Sequence, residues 1–358
     1  MTRSIIPFGP QHPVLPEPLH LKLVVEDETV VEAVPALGFI HRGLEGLATR
    51  RDFHQMVYVV ERVCGICSCI HALCYCNAIE KLMGLEVPKR AQYLRIIWSE
   101  LHRAHSHLLW LGLFADAFGF ESLFMQLWKV RERIMDINEA TAGNRVIVST
   151  NIIGGVRRDI SQEWMLQILR DIDDIEKQLK PLYETMSNDY SVKQRTVGVG
   201  VLSKEQAHQL GAVGPTLRGS GWAQDCRQLN YEVFGELDFA PVVEHDGDCY
   251  ARNKVRFREV FQSLDLVRQA INKIPQGDLA VKVKGNPEGE ITFRVEQPRG
   301  ELFYYVKCNG EKNPERVRIR TPTFANIPPL LAMLPGAQLA SVPVIALSID
   351  PCISCTER

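Results

Sequence analysis

Arg62-Val63-Cys64-Gly65-Ile66-Cys67 interrupts an otherwise helical pattern that runs from Leu47 to Leu85. A Cys-x-x-Cys pair at such a break lets two sulfurs reach one metal, because a tight turn brings both onto the same side. The same spacing returns at the far end of the chain, in Asp350-Pro351-Cys352-Ile353-Ser354-Cys355. Two such pairs offer four thiolates, a complete set for a soft metal. A fold that joins them must bring the two ends of the chain together around whatever lies between.

Outward from the first pair, the middle of the chain reads as helix. Pro88 opens a segment at a plausible helix start. Arg90 to Phe118 is long, Leu-rich and apolar on a broad face, as expected of a helix buried on most sides. Ser122–Thr141, Ser161–Ser187 and Arg252–Ile274 complete a bundle of about four long helices. In the third of these, Trp164, Ile168, Ile172 and Ile175 share a face opposite a run of acids. The first 45 residues read as extended. Leu19 to Val34 alternates around Glu26-Asp27-Glu28 and predicts a hairpin, and Gly38 to Gly46 reads as a loop leading into helix. After Pro275, Leu279–Lys284, Ile291–Glu296, Leu302–Lys307 and Val317–Arg320 have the length and alternation of strands. Ile327–Leu334 reads as a short helix. The fold class is α+β in one domain: an N-terminal β region (1–46), a helical core (47–275), and a β region with a metal-binding tail (276–358).

Composition narrows the function. A net charge of −2 leaves no basic footprint for nucleic acid. The short cluster Arg316, Arg318 and Arg320 alternates with Val317 and Ile319, so it reads as the polar face of a strand. The most apolar stretch, Leu339 to Ile349, is too short to cross a bilayer, and Met1 to Pro18 is not a secretory leader. The ten cysteines therefore belong to a reducing compartment, where clustering points to metal or redox chemistry rather than to disulfides. A structural zinc site usually takes both pairs from a short stretch, and a thioredoxin-like pair needs a preceding strand. Cys69, Cys74, Cys76, Cys226, Cys249 and Cys308 read as buried small hydrophobes. His102, His105 and His107 read as packed histidines of an apolar helix rather than as a metal cluster.

Taken together, Arg62–Cys67 with His71 and Asp350–Cys355 resemble the two metal signatures of NiFe-hydrogenase large subunits. Gly9-Pro10-Gln11-His12-Pro13, Thr196–Val201, Gly214–Gly221 and Gly247–Arg252 resemble motifs of the complex I 49-kDa subunit and its hydrogenase relatives. The likeness spans almost the whole chain. It points to the energy-converting, membrane-bound branch, of the Ech or CO-induced type. Complex I subunits have lost the cysteine ligands, and this chain keeps all four; a metal-free complex I-like interaction subunit and a structural zinc protein remain the rival readings.

The resemblance implies reversible heterolytic cleavage of H2 at a nickel–iron centre. Cys64 and Cys352 would be terminal nickel ligands, and Cys67 and Cys355 would bridge nickel to an iron carrying carbon monoxide and cyanide. Cys352 would take the proton and Glu17 would relay it. Arg299 matches an Arg above the iron, Asp350 its ion-pair partner, Thr323 a hydroxyl toward cyanide, and His71 a hydrogen-bond donor to the site. Glu45 falls where the family has a carboxylate on a secondary magnesium or iron ion, a site often completed by a C-terminal His where this chain has Arg358. Relatives often lose an extension just past that residue, so Arg358 is expected to end either a mature form or one made without an extension. The implied partners are an iron–sulfur small subunit, which with further subunits would hold all the iron–sulfur clusters, a ferredoxin-like subunit, integral membrane subunits and soluble ferredoxin. The implied location is peripheral, on the cytoplasmic face of the membrane.

Overall fold

The computed structural model describes residues 3–358. Three antiparallel strands, β1 (Arg3–Phe8), β2 (His20–Glu26) and β3 (Thr29–Ala36), form the N-terminal sheet in sequential order. The predicted hairpin is β2–β3. Its turn places Asp27 and Glu28 at φ 46° and 66°, left-handed values that Asp and other turn-forming polar residues tolerate better than branched ones. On β2, Leu21, Leu23 and Val25 point inward and Lys22 outward, as a two-residue period requires.

The helical middle follows the expected pattern closely. A short helix, α1 (Met56–Glu61), leads to the Cys64–Cys67 turn, and α2 (Ser68–Leu82) starts immediately after it. Then come α3 (Lys89–Asp116), α4 (Glu121–Ala142), α5 (Gln162–Asn188), the single turn α6 (Gly214–Arg218) and α7 (Cys249–Lys273). The 28-residue α3 is the central post, packed on both α4 and α7. It is buried on nearly every side, so even Arg95, Glu100, Arg103, His105 and His107 lie inside. Ser161 caps α5 by accepting from Trp164 N–H. The buried stripe of α5 is Met165, Ile168, Ile172, Ile175, Leu179 and Met186, and Trp164 stands 40% exposed, one step off the expected face.

At the C-terminal end, β4 (Glu288–Gln297), β5 (Gly300–Asn309) and β6 (Arg316–Arg320) form a second antiparallel sheet. The expected strand at Leu279–Lys284 is not one. It runs as extended chain against the tight turn at Gly154–Gly155, with only Ala280 bridged, because Val156 N–H donates to Leu279 and Val281 N–H to Gly154. Val317 and Ile319 are buried while Arg318 is exposed, so the arginine cluster is a strand's polar face as predicted. The helix α8 (Pro322–Met333) starts five residues before the expected one, and α9 (Val342–Ser348) and α10 (Ile353–Glu357) carry the tail inward. One continuous hydrophobic core takes in Leu21, Val60, Leu94, Val267, Val306, Ile345 and Cys355, so both sheets and the bundle share one interior. Among the described residues, no helix is long and apolar enough to cross a membrane.

Candidate metal centre

The two cysteine pairs meet in that interior. Cys64 and Cys67 sit in the turn between α1 and α2; Cys352 and Cys355 sit in the turn that opens α10. Cys64 Sγ lies 3.3 Å from Cys352 Sγ, and Cys67 Sγ lies 3.5 Å from Cys355 Sγ. The sulfurs of Cys64, Cys67 and Cys355 all lie within 4.8 Å of one another, and all four residues are buried. The Cys352 sulfur also accepts from Cys355 N–H at 3.4 Å, as an N-cap side chain does, which folds the C-terminal loop so that both its sulfurs face one way.

Electrostatics favours a bound cation here. Hydrogen bonds from Cys352, Cys355 and Cys67 hold the Cys64 thiol well below its ordinary range. Burial and the neighbouring sulfurs push Cys67 and Cys355 well up, and Cys352 is raised with them. One thiolate is therefore stable alone, and four are stable only if a cation replaces the protons. The donor set, four buried sulfurs with no carboxylate among them, fits a soft metal.

Two clamps hold the pairs in register. Arg42, from the loop before α1, donates to the carbonyls of Arg62 (2.7 Å) and Val63 (2.7 Å) just before Cys64. The same guanidinium reaches Ser354 O (3.1 Å) between the other two cysteines. Thr321 Oγ1 donates to Cys355 O (3.0 Å), and Thr323 Oγ1 accepts from Cys352 N–H (3.2 Å). Arg42 is absent from the sequence-based reading. Its only local signal is an Arg in a Gly-rich loop three residues before Glu45, and its partners lie 20 and 312 residues away.

The other expected residues gather at the same place. Arg299 sits on the two-residue turn between β4 and β5, where Gln297 pairs with Gly300. Its Nη2 is 2.8 Å from Asp350 Oδ1, and its Nε donates to Asp350 O at 3.0 Å. Asp350 is held at φ 56° and its carboxyl is pushed up by burial, against the pull of Arg299 and Arg256. The turn is fixed from below by α6. A Cβ on Gly214 would come within 2.3 Å of Arg299 O and 2.4 Å of Gly300 Cα, so only glycine lets the two backbones touch.

His71, on the first turn of α2, places Nε2 3.4 Å from Cys355 Sγ and 2.9 Å from Gln297 Nε2, and Nδ1 2.8 Å from the Tyr304 hydroxyl. Burial pulls its pKa down to about 4, so it stays neutral beside the sulfurs. Half-buried Glu17, in the loop between β1 and β2, accepts from Ser354 N–H at 2.8 Å and from the Ser354 hydroxyl. Its carboxylate thus touches the loop that carries Cys352 and Cys355.

Glu45 lies apart from the sulfurs. It accepts from Ile319 N–H (2.9 Å) and Arg358 Nε (3.1 Å) and pairs with Arg318 (3.4 Å). These cationic neighbours do not fit the expected magnesium or iron ion. The histidines of α3 go elsewhere: His105 to Ile66 O (3.1 Å), His107 to Glu259 (2.9 Å), and His102 into the core. The six remaining cysteines are all buried, and burial pushes Cys69 up to about 12.

Residues 117–286 and 280–358 match the family of the respiratory-chain NADH dehydrogenase 49 Kd subunit, and residues 42–114 match the nickel-dependent hydrogenases. The first Cys-x-x-Cys pair lies within the second match. The carbon monoxide-induced hydrogenase of Rhodospirillum rubrum is 42% identical over the full length of both chains. The chain belongs to the energy-converting NiFe-hydrogenase large-subunit family. Another member, the membrane-bound hydrogenase subunit alpha of Pyrococcus furiosus, is 40% identical over 99% of this chain and 87% of its own. An F(420)H(2) dehydrogenase subunit of Methanosarcina mazei is 35% identical over 99% of this chain and 97% of its own. The family thus joins hydrogenases to complex I-like subunits: α4 to α7 and the second sheet fall in the part matched to the 49 Kd subunit, and α1, α2 and nearly all of α3 in the part matched to the hydrogenases.

Proposed function

We propose that this chain is the catalytic subunit of an energy-converting hydrogenase, with a nickel–iron group held by Cys64, Cys67, Cys352 and Cys355. The observation that carries this reading is the meeting of four buried thiols from the two ends of the chain, beneath a buried Arg299–Asp350 pair. The sulfurs of Cys64, Cys67, Cys352 and Cys355 would hold that group. When bound, with carbon monoxide and cyanide on its iron, the group supplies heterolytic cleavage of H2 and its reverse.

The chain's own residues do the rest. Arg299, dry and oriented by Asp350, presents fixed positive charge where H2 must be polarised, which is strongest where water is excluded. Its planar fork is also suited to cyanide. Glu17 takes a proton at its carboxylate from the Cys352–Cys355 loop and passes it toward the surface, since it alone of these groups is half open. His71 stays neutral and fixes the orientation of the Cys355 side. Thr323 Oγ1 accepts from Cys352 N–H and so holds that backbone, and its hydroxyl would donate to a cyanide.

Electrons would leave through partner subunits. We assign that role to an iron–sulfur small subunit, a ferredoxin-like subunit and soluble ferredoxin. Integral membrane subunits would couple the reaction to ion translocation at the cytoplasmic face. The names of the relatives, a membrane-bound hydrogenase subunit among them, support a membrane complex.

The test is elemental analysis of the purified complex, with an infrared spectrum of the same sample. About one nickel per chain, with bands from iron-bound carbonyl and cyanide, is the expected result. Zinc alone, or no metal in an assembled complex, would sink the proposal and leave a structural or quinone-linked subunit.

A further inference from the structure

The surroundings of Glu45 are built for a different cation. This carboxylate sits in a short helical turn, Leu44–Leu47, with 15% of its side chain exposed. One oxygen takes the Ile319 N–H and Arg358 Nε; the other faces Arg318 at 3.4 Å and Arg316 at 4.0 Å. Burial works against its charge, but the Ile319 N–H, Arg358 and Arg318 together hold it below the usual carboxylate range. Three guanidinium groups around one carboxylate already exceed it in charge. A divalent ion at the same oxygens would meet repulsion from these groups, and the neighbouring Glu357 carboxylate is already engaged by the amides of Gly38 and Ile40.

Arg358 is itself seated rather than loose. Its guanidinium lies 5.4 Å over the Phe324 ring, and its Nη1 donates to Thr356 O at 2.8 Å. His41 Nδ1 contacts Glu357 O in the same groove. Through Arg358 and Glu357, the tail that carries Cys352 and Cys355 is tied to residues 38–45 and, by way of Glu45, to β6.

We infer that Arg358 is a built-in cation that occupies the place of a divalent ion beside Glu45 and latches the C-terminal cysteine loop to the N-terminal segment. The inference uses the proposed hydrogenase reading only to say which ion is displaced. Nickel content tests that reading separately, whereas the latch is read from magnesium, manganese and amide exchange.

The experiment uses the purified complex. After gel filtration in a chelator, the unaltered complex is expected to carry no magnesium or manganese above background, its melting midpoint unmoved, and an experimental density map is expected to show the guanidinium and no ion beside Glu45. Arg358→Ala is expected to speed amide exchange at residues 38–40 by about tenfold or more, and Arg358→Lys by less. One magnesium or manganese per chain, an ion in the map, or a chelator-dependent fall in the midpoint would overturn the inference. So would unchanged exchange in Arg358→Ala. If that variant fails to assemble, the metal content and map of the unaltered complex still decide.

Discussion

Arg299 and Asp350 form a buried ion pair, and such a pair costs about 3–5 kcal/mol to break from one side, since the survivor is left charged and dry. Arg299→Lys keeps the charge but loses the planar fork that reaches the Asp350 carboxylate and carbonyl together. We expect Arg299→Lys to retain nickel at about one per chain and to lose about 10²-fold or more in kcat for H2 oxidation. Loss of nickel in proportion to activity would instead assign Arg299 to assembly. Glu17→Gln tests the proton route. The amide oxygen can still accept from Ser354, but it cannot carry a proton, so the exchange of H2 with deuterated water should slow far more than nickel occupancy changes. Rates matching those of the unaltered enzyme would remove Glu17 from the pathway. Arg42→Ala frees both cysteine loops at once, and a lower nickel content after maturation is the expected reading.

Between elements, the crossing of α6 with the β4–β5 turn leaves no room for a methyl group. Gly214→Ala would meet backbone at 2.3 Å and would also have to hold φ 65°. A loss of several kcal/mol is expected, on the scale of strained or overpacked sites. It should be seen as a lower melting midpoint together with reduced activity, because the same turn carries Arg299. A midpoint equal to that of the unaltered complex would show that the turn can yield.

The elements α3, α6, α7 and β4 and the segment between α6 and α7 also meet in a buried ionic network. Glu100, Asp225, Glu259 and Glu296 face Arg103, Arg218 and Arg227, so the carboxylates exceed the guanidinium groups by one. Burial and Asp225 push the Glu296 carboxyl up to about 7, against the pull of Arg218. Its folded value lies above its unfolded one, so its contribution to stability is complete in mild acid and fades as pH rises through about 7. Glu296→Gln should flatten the fall in stability between about pH 5 and 7. An unchanged slope in melting midpoints across that range would assign the fall to other groups.

For the molecule as a whole, the shared core means that neither sheet has an interior of its own. The N-terminal sheet is also tied to the C-terminal segment through Val30 N–H to Ala337 O (2.9 Å) and Leu339 N–H to Glu28 O (2.8 Å). We propose that residues 1–358 fold as one domain. Limited proteolysis should release no stable fragment ending near residue 46 or beginning near 276, and a protected fragment at either boundary would divide the domain. The long sequence separation between the cysteine pairs has a further consequence. The metal site can close only after the tail has docked, so removing the metal should loosen the tail before the bundle, as amide exchange would report.

The sequence by itself determined the long helices, the hairpin, most of the second sheet and the two cysteine pairs that meet in the interior. Those features rest on period, capping and Cys-x-x-Cys spacing, which are local and survive in one dimension. It misjudged Leu279–Lys284, because alternation does not reveal whether a neighbouring strand is there to pair with it. It placed Trp164 on the buried face of α5, because the neighbouring positions 164 and 165 compete and only the packed partner decides between them. Arg42 across two loops, Gly214 against Gly300, the raised Glu296 carboxyl and the guanidinium beside Glu45 were decided by tertiary structure. Each depends on which groups from distant parts of the chain share one dry space, and there charge balance and contact distance, rather than residue pattern, set the outcome.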